Sequence, residues 1–178
     1  DYPTITAAVY ALNICGVSGP VIFVLKDATY SASETFPITI NAITGASATN
    51  TITFKPYTGV TSTISGGVSS GALIKLNASK YITFDGSNSG GTVKNLTVQN
   101  TSTTSPNVFW IGGSVSATAQ NDVIKNCIII NGTNTSSAMI ISDATTLGNA
   151  GYFNNITLQN NTIQKASMGI YAIATVTT

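Results

Sequence analysis

The chain has 178 residues, of which 43% are hydrophobic and only 7% carry a charge, whereas a typical soluble domain carries about 25%. All seven basic residues are lysines and the net charge is +1, so the basic patch that follows a phosphate backbone is missing and we expect no nucleic-acid partner. No apolar run approaches the ~20 residues that cross a bilayer, so we also expect no insertion into a membrane.

The N-terminal segment holds the one helical pattern in the sequence. Its apolar residues recur on a single face, at Ile5, Ala8, Val9 and Leu12. A proline at the third position can start a helix without losing a needed donor, and the glycines that follow residue 15 end it. We predict a helix over about residues 3 to 13, which caps the open end of the strands that follow.

From residue 21 onward the chain reads as short strands separated by Gly, Asn and Ser. The predicted strands are Val21 to Leu25, Phe36 to Ile40, Thr51 to Lys55, Ala72 to Leu76, Tyr81 to Phe84, Val93 to Val98, Val108 to Ile111, Val123 to Ile130, Met139 to Ile141, Ile156 to Ile163 and Gly169 to Ile173. Their short length and the absence of helices between them exclude an alternating βαβ fold.

A repeated unit organises the second half of the chain. The segment NDVIKNCIIING has two variants, TVKNLTVQN before it and TLQNNTIQK after it, so Asn95, Asn126 and Asn160 correspond. Strands that flank a corner asparagine at a spacing of roughly thirty residues are typical of a solenoid, and an Ig-like sandwich does not explain them. We predict one all-β domain over residues 1–178, a single-stranded right-handed parallel β-helix. The three asparagines are predicted to form a structural ladder that satisfies backbone groups at the corner.

The alternation of apolar residues assigns side chains to the interior or the exterior. Before each corner, Val93, Ile124 and Leu158 align and are predicted to point inward, on strands that pair in parallel. After the corner, the inward positions are Leu96, Val98, Cys127, Ile129, Asn161 and Ile163. The cysteines, Cys15 and Cys127, lie several turns apart, so we predict two buried and unpaired thiols.

A third strand of each turn carries the candidate binding residues. Because Lys75 does not belong in an apolar core, the central residue of each such strand is predicted to point outward. This gives one column of Lys75, Trp110, Ile140 and Tyr171. An open strip of this kind suits a glycan, through stacking on sugar rings, or a second protein surface, through an anchor such as Trp110. The alternative is that the loop at residues 142–152 folds over the strip and buries it.

Candidate catalytic residues are scarce. A glycoside hydrolase needs two carboxylates that flank the scissile bond, and a pectate-type lyase needs clustered carboxylates for calcium together with a base. The chain has six acidic residues, no His and no Arg. Asp85 and Asp122 form the best remaining pair, although each also fits a structural role in a turn or cap. We therefore expect no catalytic residue, no metal site and no cofactor.

The sequence also resembles a known family. YPTITAAVYAL, followed by GPVIFVLKDATY, resembles the cap helix and first strand of pectate-lyase-like right-handed β-helix proteins. The later runs TFPITINAITGASATNTITFKPYTGVTSTISG and ALIKLNASKYITFDGSNSGGTVKNLTVQN are similar to a module of exported surface proteins of Bacteroidota-type bacteria, which are cargo of type IX secretion. The resemblance implies an extracellular or cell-surface location. The same scaffold serves as lyase, hydrolase, adhesin and spacer.

These observations predict a non-catalytic structural or adhesive module of a secreted or cell-surface protein, with a polysaccharide or another surface protein as its partner. An uncapped solenoid end exposes unpaired backbone groups, so we expect the full protein to continue the stack beyond residue 178 or to cover this end with another subunit. The alternative function is a polysaccharide-degrading lyase or glycoside hydrolase of the pectate-lyase-like superfamily, in which Asp85 and Asp122 would act.

Overall fold

A computed structural model describes residues 1–175, which form a parallel β-solenoid of about four turns preceded by one short helix. The elements are α1 (Ile5–Cys15), β1 (Val21–Leu25), β2 (Thr29–Tyr30), β3 (Ile38–Ile40), β4 (Ile52–Pro56), β5 (Ser62–Gly66), β6 (Ala72–Asn77), β7 (Ile82–Asp85), β8 (Leu96–Asn100), β9 (Asn107–Gly113), β10 (Ala119–Gln120), β11 (Val123–Lys125), β12 (Cys127–Ile130), β13 (Met139–Asp143), β14 (Phe153–Asn154), β15 (Thr157–Gln159), β16 (Thr162–Gln164) and β17 (Ile170–Ala172). The predicted fold class is confirmed. Within the described residues, no helix has the length and apolar character that crossing a membrane requires.

Each turn of the solenoid contributes strands to three parallel sheets. Sheet A has the order β1-β4-β7-β11-β15, sheet B the order β2-β5-β8-β12-β16, and sheet C the order β3-β6-β9-β13-β17. A short pair, β10 with β14, adds a fourth sheet. Successive turns of the chain are therefore neighbours in space, about 4.8 Å apart. Each side chain lies next to its equivalents in the turns before and after it.

The interior is a continuous apolar core. Phe23, Phe54 and Phe84 stack on sheet A with ring centroids 4.8 and 4.9 Å apart, and Phe109 of sheet C meets Phe84 edge-on at 5.4 Å. Such ring pairs contribute about 0.5–1.5 kcal/mol each beyond the burial of their area. Buried aliphatic side chains surround them, among them Ile52, Ile64, Ile74, Ile82, Leu96, Ile111, Ile124 and Ile129. The core fixes the register, because a slip of one residue would turn each inward side chain outward.

The cap helix begins later than predicted, at residue 5 instead of about residue 3. Thr4 is its N-cap, and the Thr4 hydroxyl accepts a hydrogen bond from Ala7 N at 3.0 Å. Pro3 therefore precedes the helix. The predicted apolar face is confirmed, since Ile5, Ala8, Val9 and Leu12 are all buried.

Two polar side chains attach the helix to the first turn. The Glu34 carboxylate accepts hydrogen bonds of 2.6 to 2.8 Å from the first two backbone N–H groups of α1 and from the Thr6 hydroxyl, and an anion is favourable at a helix N-terminus. At the other end of α1, Asn13 Nδ2 donates to Thr39 O and Asn13 Oδ1 accepts from Asn41 N, both at 2.9 Å. Asn13 thus provides hydrogen-bond partners for two backbone groups at the edge of β3.

The strand predicted from Val93 to Val98 begins only at Leu96, the first residue of β8. Val93 lies outside the strands and is 50% exposed, so its predicted inward position and its pairing with Ile124 are wrong. Ile124 instead pairs with Phe84 on one side and with Leu158 on the other. The corner follows Phe84 directly, at Asp85, and a loop inserted between β7 and β8 places Asn95 away from it. The short strands β2, β10 and β14, and the Ser- and Gly-containing β5, were also not predicted.

The two cysteines differ in exposure. Cys127 is buried and free, as predicted, and burial, with the Asp85 charge adding to it, raises the pKa of the Cys127 thiol to about 12. Cys15 is free but exposed, so the prediction of a buried thiol is wrong for it. Cys15 is the last residue of α1, and the chain turns away at Gly16 (φ 68°).

Candidate functional site

The outward column lies on sheet C. Lys75 on β6 pairs with Trp110 on β9, Trp110 pairs with Ile140 on β13, and Ile140 pairs with Tyr171 on β17. Thr39 on β3 continues the column toward the cap. The side chains therefore follow one another on neighbouring strands about 4.8 Å apart.

Lys75 covers the outward face of Trp110. The Lys75 ammonium nitrogen lies 3.7 Å from the centroid of the indole ring and donates a hydrogen bond to Ala144 O. Ala144 follows β13, which lies on the other side of β9 from β6, so the lysine side chain spans the ring. Trp110 Nε1 in turn donates to Asp143 O at 3.1 Å. The indole is held between the sheet and the lysine, with one face and its N–H group occupied.

The segment after β13 is a structured loop. Asp143 Oδ1 accepts hydrogen bonds from the backbone N–H groups of Thr145 and Thr146, at 2.8 and 2.9 Å, and from the Thr145 hydroxyl at 2.6 Å. The backbone N–H of Asp143 also donates to Asn149 O at 2.9 Å. The first residues of this loop contact the column, because Asp143 O accepts from Trp110 and Ala144 O accepts from Lys75. The loop at residues 142–152 is the segment that the sequence offered as a cover for the strip.

Ile140 and Tyr171 complete the column toward the last turn. Ile140 is only 6% exposed, so it offers little surface although it points away from the core. Tyr171 is half-buried. It lies three strands away from Lys75 in the order of sheet C. The phenol of Tyr171 is therefore the aromatic ring of the column that Lys75 does not reach.

Burial and charge act in opposite directions on Lys75. Burial lowers the pKa of Lys75 below its ordinary value, and the charge of Asp143 opposes this change. The pKa of Asp143 is lowered by the hydrogen bonds from the hydroxyl and backbone N–H of Thr145. The site thus combines a partly desolvated ammonium group with an ionised carboxylate.

The corner ladder contains Asp85 in place of the predicted Asn95. Asn126 Nδ2 donates to Asp85 Oδ1 at 2.7 Å, and Asn160 Nδ2 donates to Asn126 Oδ1 at 2.8 Å. Asn126 and Asn160 adopt φ of 57° and 51°, a left-handed conformation that asparagine tolerates. Asn95 Nδ2 instead donates to Thr61 Oγ1 at 3.2 Å. The three-asparagine ladder is corrected because the loop inserted before β8 moves Asn95 out of the stack.

Asp85 is bonded on both oxygens. Asp85 Oδ1 also accepts from Ser87 N at 3.0 Å, and Asp85 Oδ2 pairs with Lys125 Nζ at 3.2 Å. Burial by itself raises the pKa of Asp85, but the hydrogen bonds from Asn126 and Ser87 and the contact with Lys125 outweigh it, so the pKa lies below its ordinary value. Asp85 is therefore an ionised residue that closes the corner.

Asp122 is completely buried, at 0% exposure. Asp122 Oδ2 accepts a hydrogen bond from Ser79 Oγ at 2.6 Å, and Asp122 Oδ1 accepts one from Ile82 N at 3.0 Å. Burial raises the pKa of Asp122 to about 6, against the opposing effect of these two bonds. Asp122 thus connects the start of β11 to the start of β7.

The two carboxylates do not form a catalytic pair by geometry. Asp85 pairs with Lys125 in the pairing of β7 with β11. Lys125 is three residues along the chain from Asp122, so the backbones of Asp85 and Asp122 are offset by roughly 10 Å along the strand. Hydrolysis requires both groups to reach one sugar, and Asp122 is inaccessible. In the part of the chain that the structure describes, no three Cys, Asp or Glu side chains are grouped to hold a metal ion.

A cleft at the capped end was not indicated by the sequence. It has a volume of about 520 Å³ and opens between β1 and the first half of α1. Its apolar lining includes Phe23, Leu25 and Phe54 from the strands and Ile5 and Ala8 from the helix. In the sequence these apolar residues are indistinguishable from other core residues. The cleft exists because α1 and β1 are separated in the fold.

Comparison with known proteins identifies no family for this chain, so the chain is classified by its architecture alone. A search of protein-family models, curated proteins and solved structures finds no significant match to this chain. The class that the structure defines is a parallel β-solenoid of about four turns. The site residues described above have to be interpreted from their own chemistry.

Proposed function

We propose that this chain is a non-catalytic structural and adhesive module of a secreted or cell-surface protein, and that it binds glycan at the sheet C column. The observation that carries the proposal is the register of Lys75, Trp110, Ile140 and Tyr171 on neighbouring strands. It places the half-buried Trp110 and Tyr171 side chains in one outward column, on an exterior that is otherwise rich in Ser, Thr and Asn. Aromatic side chains with an apolar face and a polar tip are typical of contact sites. The resemblance to exported surface modules supports the location.

The contacts within the column favour one mode of glycan binding. Because Lys75 occupies the outward face of Trp110, the sugar ring stacks on Tyr171, whose phenol combines an apolar face with a polar tip. The hydroxyls of the loop at residues 143–151 supply hydrogen bonds to sugar hydroxyls. The Lys75 ammonium, three strands away from Tyr171, bonds to a further unit of the same glycan. Trp110 acts as a rigid support for Lys75.

Binding to a panel of neutral and acidic polysaccharides tests the proposal. The wild-type protein is expected to bind at least one of them, and Tyr171→Ala is expected to weaken binding by about tenfold, from loss of the stacking face. Tyr10→Ala is the matched control, because it removes an exposed tyrosine from α1, and it should bind as the wild type does. Trp110 is the only tryptophan, so its emission should shift with the ligand. No binding across the panel, or equal losses in the two variants, contradicts the proposal.

The second candidate function is a polysaccharide lyase or glycoside hydrolase. One observation favours it: the pKa of Asp122 is raised to about 6, which suits a general acid at neutral pH. An enzyme would release reducing ends or unsaturated uronate from the same polysaccharides and lose that activity in Asp85→Asn and Asp122→Asn. The adhesive module is expected to release neither product, because Asp122 is buried and bonded to Ser79 and Ile82.

A further inference from the structure

The strand edges at the capped end are covered unequally. Helix α1 packs against β3, and Asn13 forms hydrogen bonds with Thr39 and Asn41 at that edge. β1 is the terminal strand of sheet A and has β4 on one side only. The cleft of about 520 Å³ lies beside it, between β1 and the first half of α1. Within residues 1–175, no strand pairs with the outer edge of β1.

Within its five residues β1 also lacks the charges and prolines that protect natural edge strands, and only the Tyr2 ring, 6.3 Å from the Phe23 ring, and Asp1, paired with Lys26, are known to lie against it from the N-terminus. Such edges carry lysines, inward-pointing charges or prolines that prevent pairing with another chain. The sequence of β1 is VIFVL, with five apolar residues and no charge. Ile22 is 61% and Val24 39% exposed on the outer face, while Phe23 lines the cleft on the inner face. The edge is therefore apolar on both of its faces.

We propose that β1 pairs in antiparallel orientation with β1 of a second copy of this chain, across a two-fold axis at Phe23. An edge of free backbone donors and acceptors is completed by another strand, and an entirely apolar edge favours an apolar strand. β1 is itself such a strand, so the interface is self-complementary. Ile22 of each copy lies opposite Val24 of the other copy, and the two Phe23 rings meet beside the clefts.

The charges next to β1 favour the antiparallel orientation. Lys26 follows β1 directly and forms an ion pair with Asp1 at 3.4 Å. Parallel pairing of two copies would place the two Lys26 side chains next to each other, which is unfavourable for like charges. Antiparallel pairing about Phe23 separates them by six residues of strand, or roughly 20 Å. The net charge of +1 per chain adds little repulsion between copies.

A head-to-tail arrangement is obstructed at one of the three sheets. Among the described residues, the outer edge of β15 in one copy could extend β1 of the next in a parallel sheet A, but α1 covers β3 and so prevents β17 from extending sheet C. Such contacts do not close and would grow into filaments. The two-fold arrangement closes at two copies.

Size-exclusion chromatography with light scattering tests the proposal. The chain has a mass of 18.3 kDa, and twice that mass is expected. The double variant Ile22→Lys, Val24→Lys places lysine opposite lysine at two symmetric positions and should weaken dimerisation on the order of tenfold or more. The variant Ile22→Lys, Val24→Glu places lysine opposite glutamate and should restore the dimer. Thr83→Lys lies in the same outward column two turns inside sheet A and should leave the dimer unchanged.

The outcomes separate the arrangements. A wild-type protein that stays monomeric, or a lysine–lysine variant that dimerises as well as the wild type, overturns the proposal. A lysine–glutamate variant that stays monomeric overturns the antiparallel register, and masses that grow beyond two copies with concentration indicate the head-to-tail arrangement instead. Ile22 and Val24 are exposed, so the variants should fold, which circular dichroism verifies. Glycan binding is independent of these results, because Tyr171 lies on a different sheet.

Discussion

Asp122 shows how a single buried group sets the response of this protein to pH. Its carboxylate has two hydrogen-bond donors, Ser79 and Ile82, and no cation pairs with it among the described residues. Two donors do not replace the hydration that a carboxylate loses on burial. The charged form of Asp122 is therefore disfavoured in the folded state.

Asp122→Asn should change how stability depends on pH. The folded-state pKa of about 6 lies above the ordinary value of 3.8, so the stabilising contribution is complete below pH 3.8 and is lost as pH rises through 6. The loss amounts to about 3 kcal/mol in the free energy of unfolding. Asparagine keeps an acceptor for Ile82 N and donates to Ser79, so the variant should lose no stability between about pH 4 and pH 7.

Urea unfolding at several pH values measures this effect. Asp27→Asn, at an exposed position, is the control and should follow the wild-type curve. The carboxyls of Asp85 and Asp143 have lowered pKa values, so their stabilising contribution is present above the ordinary pKa of a carboxyl and is lost as pH falls below it. Parallel curves for the wild type and Asp122→Asn would show that the Asp122 charge is not disfavoured.

Lys75→Ala should expose Trp110. Removal of the lysine uncovers the outward face of the indole and costs about 0.5–1 kcal/mol of cation–π stabilisation. Quenching of the tryptophan emission by acrylamide should increase, and the emission should shift to the red. Lys55→Ala, which removes an outward lysine from sheet A, should leave both unchanged. Equal quenching in Lys75→Ala and the wild type would be incompatible with a lysine held over the ring.

At the scale of strands and corners, the structure distinguishes asparagines that look equivalent in the sequence. Asn126 and Asn160 sit in left-handed corners and stack on one another, while Asn95 ends an inserted loop. The loop also contacts the ladder, because Asn160 Nδ2 donates to Thr92 O at 2.8 Å and Lys94 Nζ donates to Asn160 Oδ1 at 3.1 Å. The insertion thus covers the corner that it interrupts.

Alanine substitutions in the ladder should have unequal effects. Asn126→Ala removes a hydrogen bond to an ionised carboxylate. It also places alanine in the left-handed region, where alanine has no side-chain hydrogen bond to offset the unfavourable conformation, and the combined cost is about 3 kcal/mol. Asn95→Ala removes one bond to Thr61 near the surface and should cost about 0.5 kcal/mol. Thermal or urea unfolding measures both. Equal losses would mean that Asn95 belongs to the ladder after all.

For the whole molecule, each turn of the solenoid depends on its neighbours. The strands β4, β7 and β11 of sheet A have a partner on both sides and bury Phe54, Phe84 and Ile124. In the last described turn, Leu158 and Ile163 are only half-buried and Ile170 is exposed. Stability in such a stack is approximately a sum of turns and of the contacts between them. The last turn is therefore expected to be the weakest.

Hydrogen exchange should follow this order. The amides of β15, β16 and β17 are expected to exchange first and those of β4, β7 and β11 last. Leu158→Ala should accelerate exchange in the last turn alone, whereas Phe84→Ala, at a cost of about 3–5 kcal/mol, should accelerate it throughout. Uniform protection along the stack would contradict the turn-by-turn description.

The sequence by itself determined the parallel solenoid, the apolar face of the cap helix and the composition of the outward column. Each of these follows from local properties: a repeat near thirty residues, helical spacing at one end, and alternation within short strands. Ile124, Leu96 and Lys75 could therefore be assigned to the interior or the exterior before any contact was known.

Only the tertiary structure decided which groups meet between turns. Asp85 replaces Asn95 in the ladder, Lys75 reaches across Trp110 to Ala144, and the cap helix leaves a cleft beside β1. The physical reason is that contacts along a solenoid depend on the register between turns, and an inserted loop changes that register without altering the local pattern. Side chains from positions far apart in the chain then come together, and the sequence carries no local signal for the result.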